Sequence, residues 1–73
     1  MYIIIAGGGI AGRNLTKNLV QEHDVIVIEK DQSVAEKIYS RFGAVTVLGS
    51  ATRIDILKEA GIEKCDVAIA VMR

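Results

Sequence analysis

The residues Ile3-Ile4-Ile5-Ala6 run directly into Gly7-Gly8-Gly9-Ile10-Ala11-Gly12. A short, fully apolar run bounded by glycine suits a strand covered on both faces, as in a parallel sheet. The glycines that follow are spaced Gly-x-Gly-x-x-Gly, and a helical pattern begins within them. A second apolar run, Val25-Ile26-Val27-Ile28, closes on an acid, Glu29. Strand, glycine turn, helix, strand and acid in that order are the layout of a dinucleotide-binding half-fold.

The remaining elements extend the same alternation. A helix is expected over 11–22, with Leu15, Leu19 and Val20 inward and Arg13, Lys17, Gln21 and Glu22 toward water. The second strand covers 24–29. Asp31 suits the cap of a second helix over 32–42, with Val34, Ala35, Ile38 and Phe42 as its buried stripe. Gly43 is a natural left-handed stop. A short third strand takes 44–48, and Gly49-Ser50-Ala51 turns the chain. Thr52 is expected to cap a third helix, with Asp55 three residues on and Ile54, Ile56, Leu57 and Ala60 packing it. Gly61 ends that helix, Ile62 docks in the following turn, and a fourth strand spans 66–71. The order β-α-β-α-β-α-β implies parallel neighbours joined by right-handed crossovers. The expected fold is an α/β, Rossmann-like parallel sheet in strand order 3-2-1-4, with the glycine turn beside the switch point between strands 1 and 4. The last strand ends close to Arg73. Residues 1–73 therefore read as the amino-terminal part of a doubly wound domain, with an apolar edge strand that further chain or an oligomer would cover.

Bulk properties narrow the function classes. Nine Lys and Arg balance nine Asp and Glu, so no basic excess points to nucleic acid. One cysteine excludes a disulfide framework and fits a reducing compartment. The first apolar run is too short to span a membrane and lacks the features of a signal peptide. The expected location is the cytosol, or the periphery of a membrane protein.

The candidate ligand residues follow from the fold. Gly7 allows the tight turn, Gly9 lets backbone approach a pyrophosphate, and Gly12 lets the helix pack closely on the sheet. Amides of Gly9, Ile10, Ala11 and Gly12 point toward the phosphates, aided by the helix dipole, and Gly8 is counted with them among the cofactor-binding residues. Glu29 can accept both hydroxyls of an adenosine ribose and would repel a 2′-phosphate, a preference that Lys30 weakens. Its plain alternative is a surface acid at a strand end. The loop Gly49-Ser50-Ala51-Thr52 would flank the adenine, or simply turn the chain. The only histidine, His23, and Cys65 both precede strands, at the end of the sheet opposite the crevice. One Cys and one His cannot build a zinc site, and no Gly-Lys-Ser/Thr follows the glycines. No catalytic set is expected.

Three segments together resemble a particular family. The opening Ile3 to Arg13, the middle Val25 to Asp31, and above all Val47-Leu48-Gly49-Ser50-Ala51-Thr52 with Leu57 to Val71 are similar to the amino-terminal nucleotide-binding domain of TrkA-type potassium-uptake proteins, also called RCK domains. The third segment resembles that family's Gly-Asp-Ala-Thr … Leu-x-x-Ala-Gly-Ile-x-x-Ala-Asp stretch. The likeness covers essentially the whole chain and the first half of the family's domain. It implies a cytoplasmic regulator rather than an enzyme, binding NAD(H) or else ATP or ADP. It also implies assembly into dimers or larger homo-oligomers, and control of an integral-membrane potassium transporter or channel subunit. By resemblance, Gly7, Gly9 and Gly12 hold phosphates, Glu29 holds the ribose, and Gly49 to Thr52 lie by the adenosine. Ser50 stands where many relatives have Asp, and Ile10 where many have Arg, which implies an altered nucleotide preference. A cofactor-binding fragment of an NAD-dependent dehydrogenase and a nucleotide-free interaction module are the competing expectations.

Overall fold

The computed structural model describes residues 1–72. Its elements are β1 (Tyr2–Ala6), α1 (Ile10–Leu19), β2 (Asp24–Glu29), α2 (Gln32–Phe42), β3 (Val45–Leu48), α3 (Ile54–Glu59) and β4 (Val67–Ala70). The four strands form one parallel sheet in the order β3-β2-β1-β4. This is the expected Rossmann-like order. It leaves β3 and β4 as edges and puts the apolar run of β1 in the middle.

Alternation along β1 splits the interior between two faces. Ile3 and Ile5 join Val25, Val27, Ile38 and Ala44 under α1 and α2. Ile4 joins Ile28, Val47 and Ala60 on the opposite face, with Ile56, Leu57 and Ile62 packed against them from α3 and its turn. Both faces of β1 are therefore covered, which is why its sequence shows no polar alternation. Ile5, Val27 and Ile38 have no solvent exposure, so the centre of the domain lies between the inner strands and α2.

The helix boundaries show what periodicity does not settle. The first helix ends at Leu19 rather than residue 22, with Val20 as its cap. The amides of Glu22 and His23 both turn back to the Leu19 carbonyl. A ten-residue helix rises about 15 Å and so matches β1, whose five residues span roughly 16 Å. Three more helical residues would overshoot Asp24, which pairs with Tyr2. The second helix is as expected: the Asp31 carboxylate accepts from the Val34 amide, and Gly43 stops it at φ 70°. The third differs. Its N-cap is Arg53 and has no side-chain cap. Thr52 instead pairs its hydroxyl with that of Ser50 at 2.7 Å, and Asp55 pairs with Arg53 at 3.1 Å. Ile54, expected to pack, is 70% exposed. With only six helical residues, α3 turns Ile56, Leu57 and Ala60 inward and leaves Ile54 outside. Strands three and four are also shorter than expected, beginning at Val45 and Val67.

Candidate functional site

Parallel strands deliver all four of their carboxyl ends to one edge of the sheet. Backbone bonds continue the ladder past those ends. Gly49 donates to the Glu29 carbonyl, Gly7 to the Ile28 carbonyl, and Val71 to the Ala6 carbonyl, each at 2.9 Å. The four loops therefore stand side by side at the strand spacing of about 4.8 Å. They line a cleft of about 770 Å³. A shallower hollow of about 260 Å³ lies between α2 and β3, with no contribution from the glycine turn.

The glycine turn forms the middle of the cleft. Gly7 adopts φ 116°, which disfavours any side chain. Gly9 faces open space, with no atom within 4 Å of where a Cβ would stand. Gly12 is buried behind the lining, where a Cβ would fall 1.9 Å from the Gly7 carbonyl oxygen. Its place is therefore to bring α1 onto the turn, while Gly7, Gly8, Gly9, Ile10 and Ala11 line the cleft. The hydroxyl of fully buried Thr16 donates to the Gly12 carbonyl at 2.8 Å and pins the first turn of the helix.

Glu29 ties the second loop to the first. One carboxylate oxygen accepts from the Gly8 amide and the other from the Asp31 amide, both at 2.7 Å. Gly8 is buried at this contact. A Cβ there would meet Ile38 Cδ1 at 2.5 Å and Glu29 Oε1 at 3.0 Å. The acid thus fixes the turn and also faces the cleft, where the second lone pair of each oxygen can still accept a hydroxyl. Removing it strands the buried Gly8 amide. Glu29→Ala is expected to cost about 1–3 kcal/mol of stability without any ligand. Urea denaturation checks this, and an unchanged midpoint would show that the clasp contributes nothing.

Lys30, Gly49, Ser50, Ala51 and Thr52 complete the polar side of the cleft, so it gathers every candidate residue except Gly12. Sequence reasoning missed Asn14, Ile28, Val71 and Met72, which also line it. Asn14 lies one turn after Ile10 on α1, a spacing that helical geometry could have offered. His23 and Cys65 lie at the far end of the sheet. His23 Nδ1 is 3.2 Å from the amino terminus, and the Cys65 thiol donates to the Ile62 carbonyl at 3.3 Å. Among the described residues, no group of three His, Cys, Asp or Glu could hold a metal ion. No helix there is long and apolar enough to cross a membrane.

A parallel sheet with this order, and a glycine turn and acid at the carboxyl ends of its inner strands, define a Rossmann-like α/β domain with a cleft at its switch point. The chain belongs to the TrkA-N domain family, whose model matches residues 3–73. It is 44% identical over 71 residues to a Trk system potassium uptake protein TrkA homolog of Archaeoglobus fulgidus, covering 97% of this chain and 16% of that protein. A homolog of the same description from Methanothermobacter thermautotrophicus is 35% identical over 71 residues, covering 96% of this chain and 33% of that protein. The Trk system potassium uptake protein TrkA of Streptomyces coelicolor is 39% identical over 72 residues, covering 97% and 32%. The chain thus spans a third or less of the length of these relatives.

Proposed function

We infer that residues 1–73 form part of a nucleotide-binding regulatory domain in a potassium-uptake system, and that the cleft takes an adenine dinucleotide, NAD(H). The observation that carries this is the convergence of the glycine turn and Glu29 in a single cleft, joined by the 2.7 Å contact from Gly8. Phosphates would sit on the amides of Gly9, Ile10 and Ala11, which open α1. The ribose hydroxyls would reach Glu29, and the loop Gly49 to Thr52 would border the base. The relatives' names supply the potassium-uptake setting. Binding would shift a conformational equilibrium communicated to an integral-membrane partner, by differential affinity for two states rather than by catalysis. A cytoplasmic homo-oligomer is the natural form of such a regulator, and the β4 edge would be covered by further chain or by a second copy.

A thermal-shift panel with NADH, NAD, ADP and ATP tests this on wild type and Glu29→Gln. Gln keeps one acceptor for the turn, so it separates ligand contact from the clasp better than Ala. A ligand at a hundred times its Kd adds about 2.7 kcal/mol, which is roughly 10–20 °C for a domain this small. NADH is expected to produce such a shift in wild type and a much smaller one in Glu29→Gln. No shift with any nucleotide removes the binding site. Equal shifts in both proteins remove Glu29 from the ribose role.

A further inference from the structure

The cleft is chemically lopsided. Among the described residues, its only charged lining side chains are Glu29, which ends β2, and Lys30, which follows it. The hydroxyls of Ser50 and Thr52 follow β3, next in the row. Beyond the glycine turn, on the β4 side, the lining is Val71 and Met72, with Ile10 at the start of α1 and one neutral polar side chain, Asn14, a turn further on. These two elements are close: a Cβ at Gly12 would lie 3.3 Å from Val71 Cγ2, and one at Gly7 would lie 3.1 Å from the Met72 amide. Ile10 is 75% exposed, a large apolar side chain held in water at the lip of the cleft.

Strand order fixes what each end can hold. With the ribose at β2 and the phosphates at β1, the group beyond the second phosphate must lie toward Ile10, Val71 and Met72. Among the described residues, a third phosphate there would meet no lining cation and would lose hydration against Ile10, Val71 and Met72. An uncharged or weakly polar group would bury apolar area instead. We propose that Ile10 is a specificity-determining residue of the cleft. It favours ligands whose second phosphate carries a sugar or ring and disfavours a nucleoside triphosphate. This rests on the nucleotide-site reading above and adds a preference that the glycine turn and Glu29 do not set.

The test is calorimetric titration of the full chain with ADP, ADP-ribose, NADH and ATP, in EDTA so that no metal masks the terminal phosphate. Wild type and Ile10→Arg are compared. Ile10 is exposed, so the substitution leaves the fold intact, and melting without ligand verifies this. Wild type is expected to bind NADH and ADP-ribose at least tenfold more tightly than ATP. In Ile10→Arg, where a guanidinium can pair with phosphate, the ratio of ATP to NADH affinity is expected to rise at least tenfold, while ADP changes less than ATP. Binding by all four ligands with an unaltered ratio in the variant overturns the assignment to Ile10 and leaves the nucleotide site standing. Equal wild-type affinity for ATP and ADP-ribose also overturns it. Failure of all four to bind removes the site itself, and the preference with it.

Discussion

Gly12→Ala is expected to lower the melting temperature by about 12 °C or more. Alanine favours a helix over glycine by about 1 kcal/mol, so propensity alone predicts a gain. The added Cβ, however, would stand 1.9 Å from the Gly7 carbonyl oxygen and 2.9 Å from its carbon. Neither partner can easily retreat. Gly7 is held at φ 116° by its bond to the Ile28 carbonyl, with the Met72 backbone close on its other side. Gly12 is held by the bond from Thr16 to its own carbonyl. Overpacking costs 1–3 kcal/mol where side chains can give way, and more where they cannot. A backbone clash this deep belongs at or beyond the top of that range. A net loss of about 3 kcal/mol, at 4–8 °C per kcal/mol, gives the stated shift. Gly9→Ala is the control, because nothing lies within 4 Å of its Cβ and its φ is −70°. It is expected to melt near wild type yet bind nucleotide more weakly, since its methyl group would enter the cleft. A melting point for Gly12→Ala within 4 °C of wild type would falsify the packing role.

The contrast between those two glycines was legible in the chain, and the role of Gly8 was not. Strand, turn and helix in succession assign close packing to the last glycine and an unobstructed backbone to the middle one, and the structure shows Gly12 packed and Gly9 open. Strand order followed from element order, and the caps at Asp31 and Gly43 from local chemistry. Gly8 required tertiary knowledge, because Ile38 and Glu29 reach it from twenty or more residues away. Glu29 was legible as an acid at the end of β2, but its bond to the turn depends on the register that sets Ala6 beside Ile28. Thr52 failed as a cap for a similar reason. The nearest partner for its hydroxyl was Ser50, two residues back, and pairwise cap rules do not weigh such competition. Val71 and Met72 entered the cleft only through the pairing of β4 with β1.

Ile38→Ala is expected to destabilise the domain by about 2–5 kcal/mol, the range for truncating a buried isoleucine. The upper half of that range is indicated by its surroundings. Ile38 has no exposure, and it joins α2 to Ile3, Ile5, Val25 and Val27 within one cluster. Those neighbours are fixed by the parallel ladder and cannot collapse into the vacated space. A chain of 73 residues on its own has little stability to spare, so the variant should be partly unfolded at 37 °C by circular dichroism. The same side chain also underlies the cleft, since its Cδ1 would be 2.5 Å from a Cβ on Gly8. The milder Ile38→Val should stay folded, at a cost of about 0.5–1.5 kcal/mol. It should nonetheless weaken NADH binding, because the Gly8 to Glu29 clasp loses its backing. Ile4→Val provides the comparison: Ile4 is equally buried but belongs to the opposite face, beneath α3. If the two valine variants lose stability equally but only Ile38→Val loses affinity, Ile38 supports the cleft as well as the core. Equal affinity losses would confine Ile38 to packing, and a loss below about 1 kcal/mol in Ile38→Ala would show that the α2 face can collapse after all.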